Sequence, residues 1–251
     1  MRVRVGPALL IAFLSGGCTP LPQRALVASE WLPSPSHDER RVSFVVLHHT
    51  GSDSVRHSLA TLTTRSREVS AHYVVARDGV IWQLVDERRR AWHAGEAYWA
   101  GITDLNSASI GVELDNDGRE PFSDAQIAAL LGLLGDVVAR HRIPAANILG
   151  HGDVAPGRKV DPSAQFPWVR LARHGFGAWC DAPDAEAAGD PVLLLQAFGY
   201  DVRNAQAAMA AFRRHFRGSD SAALDDTDLG LLRCLVRSKA AAQASSAPRA
   251  Y

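Results

Sequence analysis

The chain has 251 residues, 47% of them apolar and 22% charged, and its 27 basic and 27 acidic side chains cancel to a formal net charge of zero. These values fit a soluble globular protein of one large or two small domains, and give no support for a nucleic-acid partner, which would want a basic stripe. The three cysteines, Cys18, Cys180 and Cys234, are too few for a disulfide scaffold and are not in zinc-finger spacing.

The amino terminus reads as a targeting signal over residues 1–17. Arg2 and Arg4 supply positive charge, Ala8–Leu14 is an apolar run too short to span a bilayer, and Ser15, Gly16 and Gly17 are small residues in front of Cys18. Small residues directly before a cysteine resemble the bacterial lipobox, which implies a lipid-modified Cys18 as the new amino terminus. Ser15 departs from that pattern, which usually has Leu there. Thr19 in place of Asp is compatible with outer-membrane sorting. The expectation is a periplasmic outer-membrane lipoprotein, with a soluble periplasmic or secreted protein as the alternative. Residues 18–41, with four prolines, read as a tether.

Val42–Leu47 (VSFVVL) is a continuous β-branched run suited to a strand buried on both faces, and it ends in His48 and His49. Ser54–Thr64 is compatible with a short helix. Asp78-Gly79 between Ala71–Arg77 and Val80–Val85 is a hairpin signal. A Trp-rich loop follows, with Trp92, His93 and Trp99. Ser109–Leu114 alternates, with Ile110, Val112 and Leu114 on one face and Gly111 and Glu113 on the other.

Ser123 with Gln126 forms a capping-box pattern, and Ile127, Leu130, Leu131, Leu134 and Val138 then recur at helical spacing. Arg140, His141 and Arg142 complement the dipole at the helix end, and Pro144 stops it. Asn147–Gly150 is a short apolar approach to a segment rich in Gly and Pro that carries His151, Asp153, Lys159 and Asp161. Pro156, Pro162 and Pro167 block helix there, so it reads as a shaped loop. Strands mixed with helices give an α/β fold, a mixed central sheet flanked by helices, over residues 42–180.

Residues 181–190 read as a linker. Pro191–Phe198, Ala205–Phe216 and Thr227–Val236 then read as three helices, a small carboxyl-terminal domain over 191–237 whose own core is marginal. Residues 238–251, rich in Ala and Ser, read as a disordered tail. Cys180 and Cys234 are a candidate disulfide in an oxidising compartment, with two separate thiols as the alternative.

Zinc binds imidazole and carboxylate, and a catalytic zinc keeps three protein ligands and an open position. His151 and Asp161 lie in one loop that Pro and Gly can fold back. The third ligand must come from elsewhere, and the end of the first strand is the natural source. Spacing alone does not choose between His48 and His49, or between Asp161 and Asp153.

Six stretches occur in order: VLHHT at 46–50, SAHYVV at 70–75, RAWHAG at 90–95, LNSASIGVEL at 105–114, GHGDVAPGRKVDP at 150–162 and FPW at 166–168. Together they resemble the zinc-dependent N-acetylmuramoyl-L-alanine amidases, a family that includes phage amidase lysozymes and is related to animal peptidoglycan recognition proteins. The resemblance implies zinc ligands His48, His151 and Asp161, with Glu113 and Lys159 as the acid–base and oxyanion pair. It implies hydrolysis of the bond between N-acetylmuramic acid and L-alanine. Apolar neighbours should raise the Glu113 carboxyl, and Gly111 leaves room beside it. Lys159 is held near the metal by its spacing from Asp161. The family usually has Gly after the Asp-Pro pair, where this chain has Ser163.

Trp92, His93 and Trp99 are candidate walls of a substrate groove, with Tyr73 a weaker candidate. Asp153 is expected to organise its loop, and His49 and His72 to lie behind the site or in the core. The helices after Phe198-Gly199-Tyr200 resemble a three-helix peptidoglycan-binding module. The expected partners are peptidoglycan or muropeptides and, through the lipid, a membrane, with the chain a monomer. A non-catalytic peptidoglycan recognition module on the same fold is the alternative function, although animal relatives of that kind typically lack a metal ligand.

Overall fold

The computed structural model describes residues 40–184 and 189–246. The signal peptide, Cys18 and most of the tether lie outside the described residues.

Five strands among the described residues form one mixed sheet in the order β3-β2-β4-β1-β5. They are β1 (Phe44–His49), β2 (Tyr73–Val75), β3 (Ile81–Gln83), β4 (Ser109–Leu114) and β5 (Ile148–Gly150). Strand β1 runs parallel to β4 and β5, β2 runs parallel to β4, and only β3 is antiparallel. The central strands are buried on both faces, which is why β1 is uninterrupted Val and Leu before its histidines. The hairpin from β2 to β3 closes through Ala76 and Val80, with Gly79 at φ 88°. A Cβ at Gly79 would also meet the Ala125 carbonyl oxygen at 2.9 Å, so only glycine fits this turn against the next helix.

Helices α1 (Val55–Thr63) and α2 (Leu105–Ala108) precede the long α3 (Asp124–His141). Ser123 caps α3 by accepting from the Gln126 N–H at 3.1 Å. The reciprocal half of the expected box is absent, because the buried Gln126 amide instead donates to the carbonyls of Val75 at 2.9 Å and Asp115 at 3.0 Å. The Val75 carbonyl already accepts from the Asp115 N–H at 3.0 Å, so the helix adds a second bond there and a partner for the Asp115 carbonyl at the ends of the two strands it covers. The buried stripe of α3 is Ile127, Leu130, Leu133, Leu134 and Val137. It packs on Val45, Leu47, Ile110, Val112 and Leu114, the odd positions of β1 and even positions of β4.

The opposite face carries Phe44, Val46 and Leu149. After the short α4 (His151–Val154) and α5 (Trp168–Arg173), residues of α6 (Pro191–Phe198), α7 (Ala205–Arg217) and α8 (Asp226–Ser246) pack against them, among them Leu195, Phe198, Phe212, Leu232 and Leu235. A segment this short has too little apolar surface for a large core of its own, and here it shares one with the sheet. Cys180 and Cys234 are disulfide-bonded, tying the end of the sheet region to α8. Helix α8 continues ten residues beyond the predicted Val236, through an Ala-rich stretch with no helix breaker. Arg237 pairs with Asp184, and Lys239 donates to the Phe198 carbonyl at 2.6 Å, which anchors its first extra turn.

Candidate functional site

Parallel strands expose their carboxyl ends at one edge of a sheet, where ligand sites tend to form. In β1, Phe44, Val46 and His48 share a face, and the register sets His48 beside Glu113 of β4. Both side chains therefore project from the same face, beyond the part covered by the carboxyl-terminal helices.

Strand β5 ends at Gly150 and the chain turns directly into α4 (His151–Val154), so the first part of the expected loop is one helical turn. Asp153 closes this turn by accepting from the Gly150 N–H at 2.7 Å. The rest of the segment folds back, and the Gly152 N–H donates to the Asp161 carbonyl at 2.7 Å. That bond returns Asp161 to His151. The Asp161–Pro162 peptide is cis, and the Ser163 N–H donates to His49 Nδ1 at 3.1 Å.

Three atoms converge. His48 Nδ1 lies 2.9 Å from His151 Nδ1 and 3.0 Å from Asp161 Oδ2, and His151 Nδ1 lies 3.1 Å from the same oxygen. The remaining imidazole nitrogens are committed elsewhere. His151 Nε2 lies 3.0 Å from the Ala94 carbonyl, which can only accept, and 3.3 Å from Arg158 Nη2; donation along the shorter contact leaves its Nδ1 as a bare lone pair. His48 Nε2 is 3.1 Å from His93 Nδ1. Two imidazole lone pairs and a carboxylate oxygen facing one another are mutually repulsive unless a cation lies among them. The edges are a few tenths of an ångström inside the roughly 3.3–3.6 Å ligand spacing of a tetrahedral ion with bonds of ~2.0–2.2 Å. The residues therefore fit a zinc-sized cation.

The electrostatics agree. Burial, reinforced by His151, pushes the His48 imidazole down to about 4, keeping it neutral as a ligand must be. Burial alone would raise the Asp161 carboxyl, but the two imidazoles beside it outweigh burial and hold the group far below the usual carboxylate range. Burial, with the Asp161 charge second, pushes Glu113 up to about 8, and Lys159 opposes the shift. Glu113 Oε2 is buried without a hydrogen-bond partner in the chain, and the residue lines an open space together with the three converging side chains.

That space is a cavity of about 790 Å³ lined by His48, Glu113, His151, Lys159 and Asp161, with Trp92, His93, Arg67 and Arg119 also on its walls. Trp92 is 50% exposed. Two of the predicted groove residues lie elsewhere. Trp99 is 3% exposed and packs edge-on against Phe198 and Tyr200. Tyr73 is buried in the α3-side core, with its hydroxyl donating to Glu87 at 2.6 Å. Their aromatic rings serve packing, a use that composition cannot separate from ligand contact. The room expected beside Gly111 is filled, because a Cβ there would lie 2.4 Å from the His93 ring.

Other contributors carry weaker sequence signals. Asn106 Oδ1 accepts from the N–H groups of His93 at 2.9 Å and Ala94 at 2.8 Å, shaping the RAWHAG turn. Arg158 donates to the carbonyls of Ala94 and Glu96. Both lie inside the quoted motifs, which is the only sign of them in the sequence. His72 accepts from the Gly111 N–H at 2.9 Å and sits behind the sheet edge.

The sequence signature of the Amidase_2 family, described as N-acetylmuramoyl-L-alanine amidase, matches residues 38–164. The chain belongs to this family. The amidase is 41% identical over 211 residues to N-acetylmuramoyl-L-alanine amidase AmiD of Escherichia coli, covering 70% of this chain and 75% of that protein. Its fold matches the solved complex of AmiD from E. coli with the substrate anhydro-N-acetylmuramic acid-L-Ala-D-gamma-Glu-L-Lys, with a TM-score of 0.73 and 35% identity over 82% of this chain and 93% of that one. It likewise matches AMPDH3 from Pseudomonas aeruginosa, with a TM-score of 0.73 and 31% identity over 86% and 99% of the two chains. These matches extend beyond the sheet region into the carboxyl-terminal helices of the amidase.

Proposed function

We propose that this amidase is a zinc hydrolase that cleaves the amide joining the lactyl group of N-acetylmuramic acid to L-alanine, in peptidoglycan or in muropeptides released from it. The observation that carries the reading is the convergence of His48 Nδ1, His151 Nδ1 and Asp161 Oδ2 within 2.9–3.1 Å of one another, beside a buried and unpartnered Glu113 oxygen. The substrate class is supported by the AmiD complex and by a second solved relative, AMPDH3 in complex with anhydromuramic pentapeptide.

His48, His151 and Asp161 would hold the ion. The chemistry a zinc ion supplies at such a place is Lewis acidity, acidifying water toward ~pH 7 and polarising the scissile carbonyl. Glu113, in its ionised form, takes the proton from the attacking water as the oxygen–carbon bond forms. It returns that proton to the amine nitrogen as the carbon–nitrogen bond breaks. Lys159, on the same cavity wall, stabilises the negative charge that develops on the carbonyl oxygen. Trp92 offers a flat apolar face to a sugar ring, and Arg67 and Arg119 offer charge to stem-peptide carboxylates.

The place of action is read as the periplasmic face of the outer membrane, with Cys18 carrying the lipid. A disulfide between Cys180 and Cys234 fits an oxidising compartment. The helical region is read as a second wall contact. Gln196, Asp201 and Arg203 line a cavity of about 490 Å³ together with Tyr98 and Thr103. The double variant Gln196→Ala, Arg203→Ala should be retained less on purified sacculi, and unchanged retention would count against that role.

The deciding experiment is digestion of defined muropeptides with and without chelator, with the products weighed by mass spectrometry. Free stem peptide and free anhydro-muramic sugar, lost with chelator and restored by zinc, are expected. Intact muropeptide bound but uncut would favour a recognition module instead, and fragments cut within the peptide would point to a peptidase.

A further inference from the structure

His93 stands in a chain of hydrogen bonds with only one consistent direction. At the far end, Ser109 Oγ lies 2.5 Å from the Leu105 carbonyl, an atom that can only accept, so the hydroxyl proton points there. Ser109 Oγ therefore accepts from His93 Nε2–H at 3.2 Å. With its proton on Nε2, His93 presents a lone pair at Nδ1 to His48 Nε2, 3.1 Å away, and His48 must donate. His48 then carries its proton on Nε2 and has a bare Nδ1, the atom that faces His151 and Asp161. Running the chain the other way would set the Ser109 and Leu105 oxygens against each other with no proton between them.

The His93 ring is fixed independently of this chain. Its backbone N–H is held by Asn106 at 2.9 Å. Its ring lies against Gly111, where any Cβ would come within 2.4–2.7 Å of ring atoms.

We propose that His93 is a positioning residue of this amidase: relayed from Ser109 and the Leu105 carbonyl, its Nδ1 fixes the tautomer and orientation of His48 that leave Nδ1 free to bind the metal. The inference rests on the zinc reading above and adds to it a residue that touches neither metal nor substrate in this role. Hydrogen-bond partners of ligand imidazoles commonly tune metal affinity by about 10–100-fold.

The test uses metal-free full-length protein and two readouts, zinc affinity by competition with a chromophoric chelator and imidazole ¹⁵N shifts by NMR. His93→Gln retains an acceptor for His48 and a donor for Ser109, and should bind zinc within about threefold of wild type. His93→Leu retains neither and should bind at least about tenfold more weakly, with the His48 signal split between tautomers. Ser109→Ala removes one buried oxygen and no ring, a smaller change than His93→Leu, and should shift both readouts in the same direction, so the proposal stays testable if the Leu variant does not fold. Wild-type zinc affinity in His93→Leu, or in Ser109→Ala where the Leu variant does not fold, overturns the proposal, as does an equal loss in His93→Gln and in either of the other two. A wild-type protein that binds no zinc overturns the metal reading itself, an outcome distinct from these.

Discussion

Asp153 and His215, 62 residues apart in the chain, meet through Oδ2 and Nδ1 at 2.7 Å. The same carboxylate accepts from the Tyr200 hydroxyl at 2.7 Å and from the Gly150 N–H at 2.7 Å. The His215 ring stacks on Trp168 with 3.6 Å between centroids. One buried carboxylate thus ties the turn that carries His151 to two of the carboxyl-terminal helical segments. Asp153 does organise its loop, as its place between the ligands suggested, but its partners come from a region the sequence read as separate. Hydrogen bonds to a buried charge are worth about 1.5–3 kcal/mol. His215→Leu should therefore cost about 2–3 kcal/mol in urea unfolding, and an unchanged midpoint would remove Asp153 as a brace between the two regions.

Glu113→Ala should retain zinc and lose about 10²–10⁴ in turnover, because proton transfer is lost while the ligands remain. Muropeptide cleavage at near-normal rate with full zinc content would exclude the acid–base role. The raised carboxyl also predicts a pH dependence in the metal-free protein. Below the ordinary value of 4.5 the group is protonated in folded and unfolded chains alike. Between 4.5 and about 8 the unfolded chain ionises and the folded one does not, so folding weakens as pH rises through that window and the loss is complete above it. The melting temperature of Glu113→Gln should rise relative to wild type from pH 5 to pH 8, and parallel curves would show that the carboxyl is not raised.

His151→Ala should lose the metal outright, since it removes one of three converging atoms. Elemental analysis of the purified protein checks this directly, with one zinc per wild-type chain as the reference. A variant that still carries stoichiometric zinc would displace His151 from the ligand set.

The bond between Cys180 and Cys234 closes a segment with a sequence separation of 54. Loop-closure entropy for such a span corresponds to about 4 kcal/mol. Reduction, or the Cys180→Ala, Cys234→Ala pair, should lower the melting temperature and slow migration on a non-reducing gel. Identical mobility with and without reductant would mean the two thiols are separate.

Two tryptophans from one loop should behave differently. Trp99→Ala removes a ring enclosed by Phe198 and Tyr200 and should cost about 3–5 kcal/mol of stability. Trp92→Ala removes a half-exposed ring at the cavity wall. It should leave the melting temperature unchanged and raise KM for muropeptides by about 2–10-fold, the worth of one aromatic contact. The reverse pattern would exchange their roles.

The sequence by itself determined what local rules control. Strand β1 follows from its β-branched run, the β2–β3 turn from Asp78-Gly79, and the start of α3 from Ser123, because each depends on residues within one or two turns of chain. Motif order named the residues that could form a metal site, and residue chemistry limited what they could hold. Spacing left His48 and His49 open and the motif resemblance pointed to His48; the tertiary structure supplies the reason, because the two point to opposite faces of one strand and nothing local says which face closes on the segment after β5. It likewise shows how Asp161, the carboxylate the resemblance implied, stands with the imidazoles while Asp153 turns toward His215, and it alone decided that Trp99 and Tyr73 fill core and that His93 occupies the space beside Gly111. Those outcomes depend on strand register and on packing between segments far apart in the chain, where burial and hydrogen-bond satisfaction are settled jointly by partners that no local pattern can see.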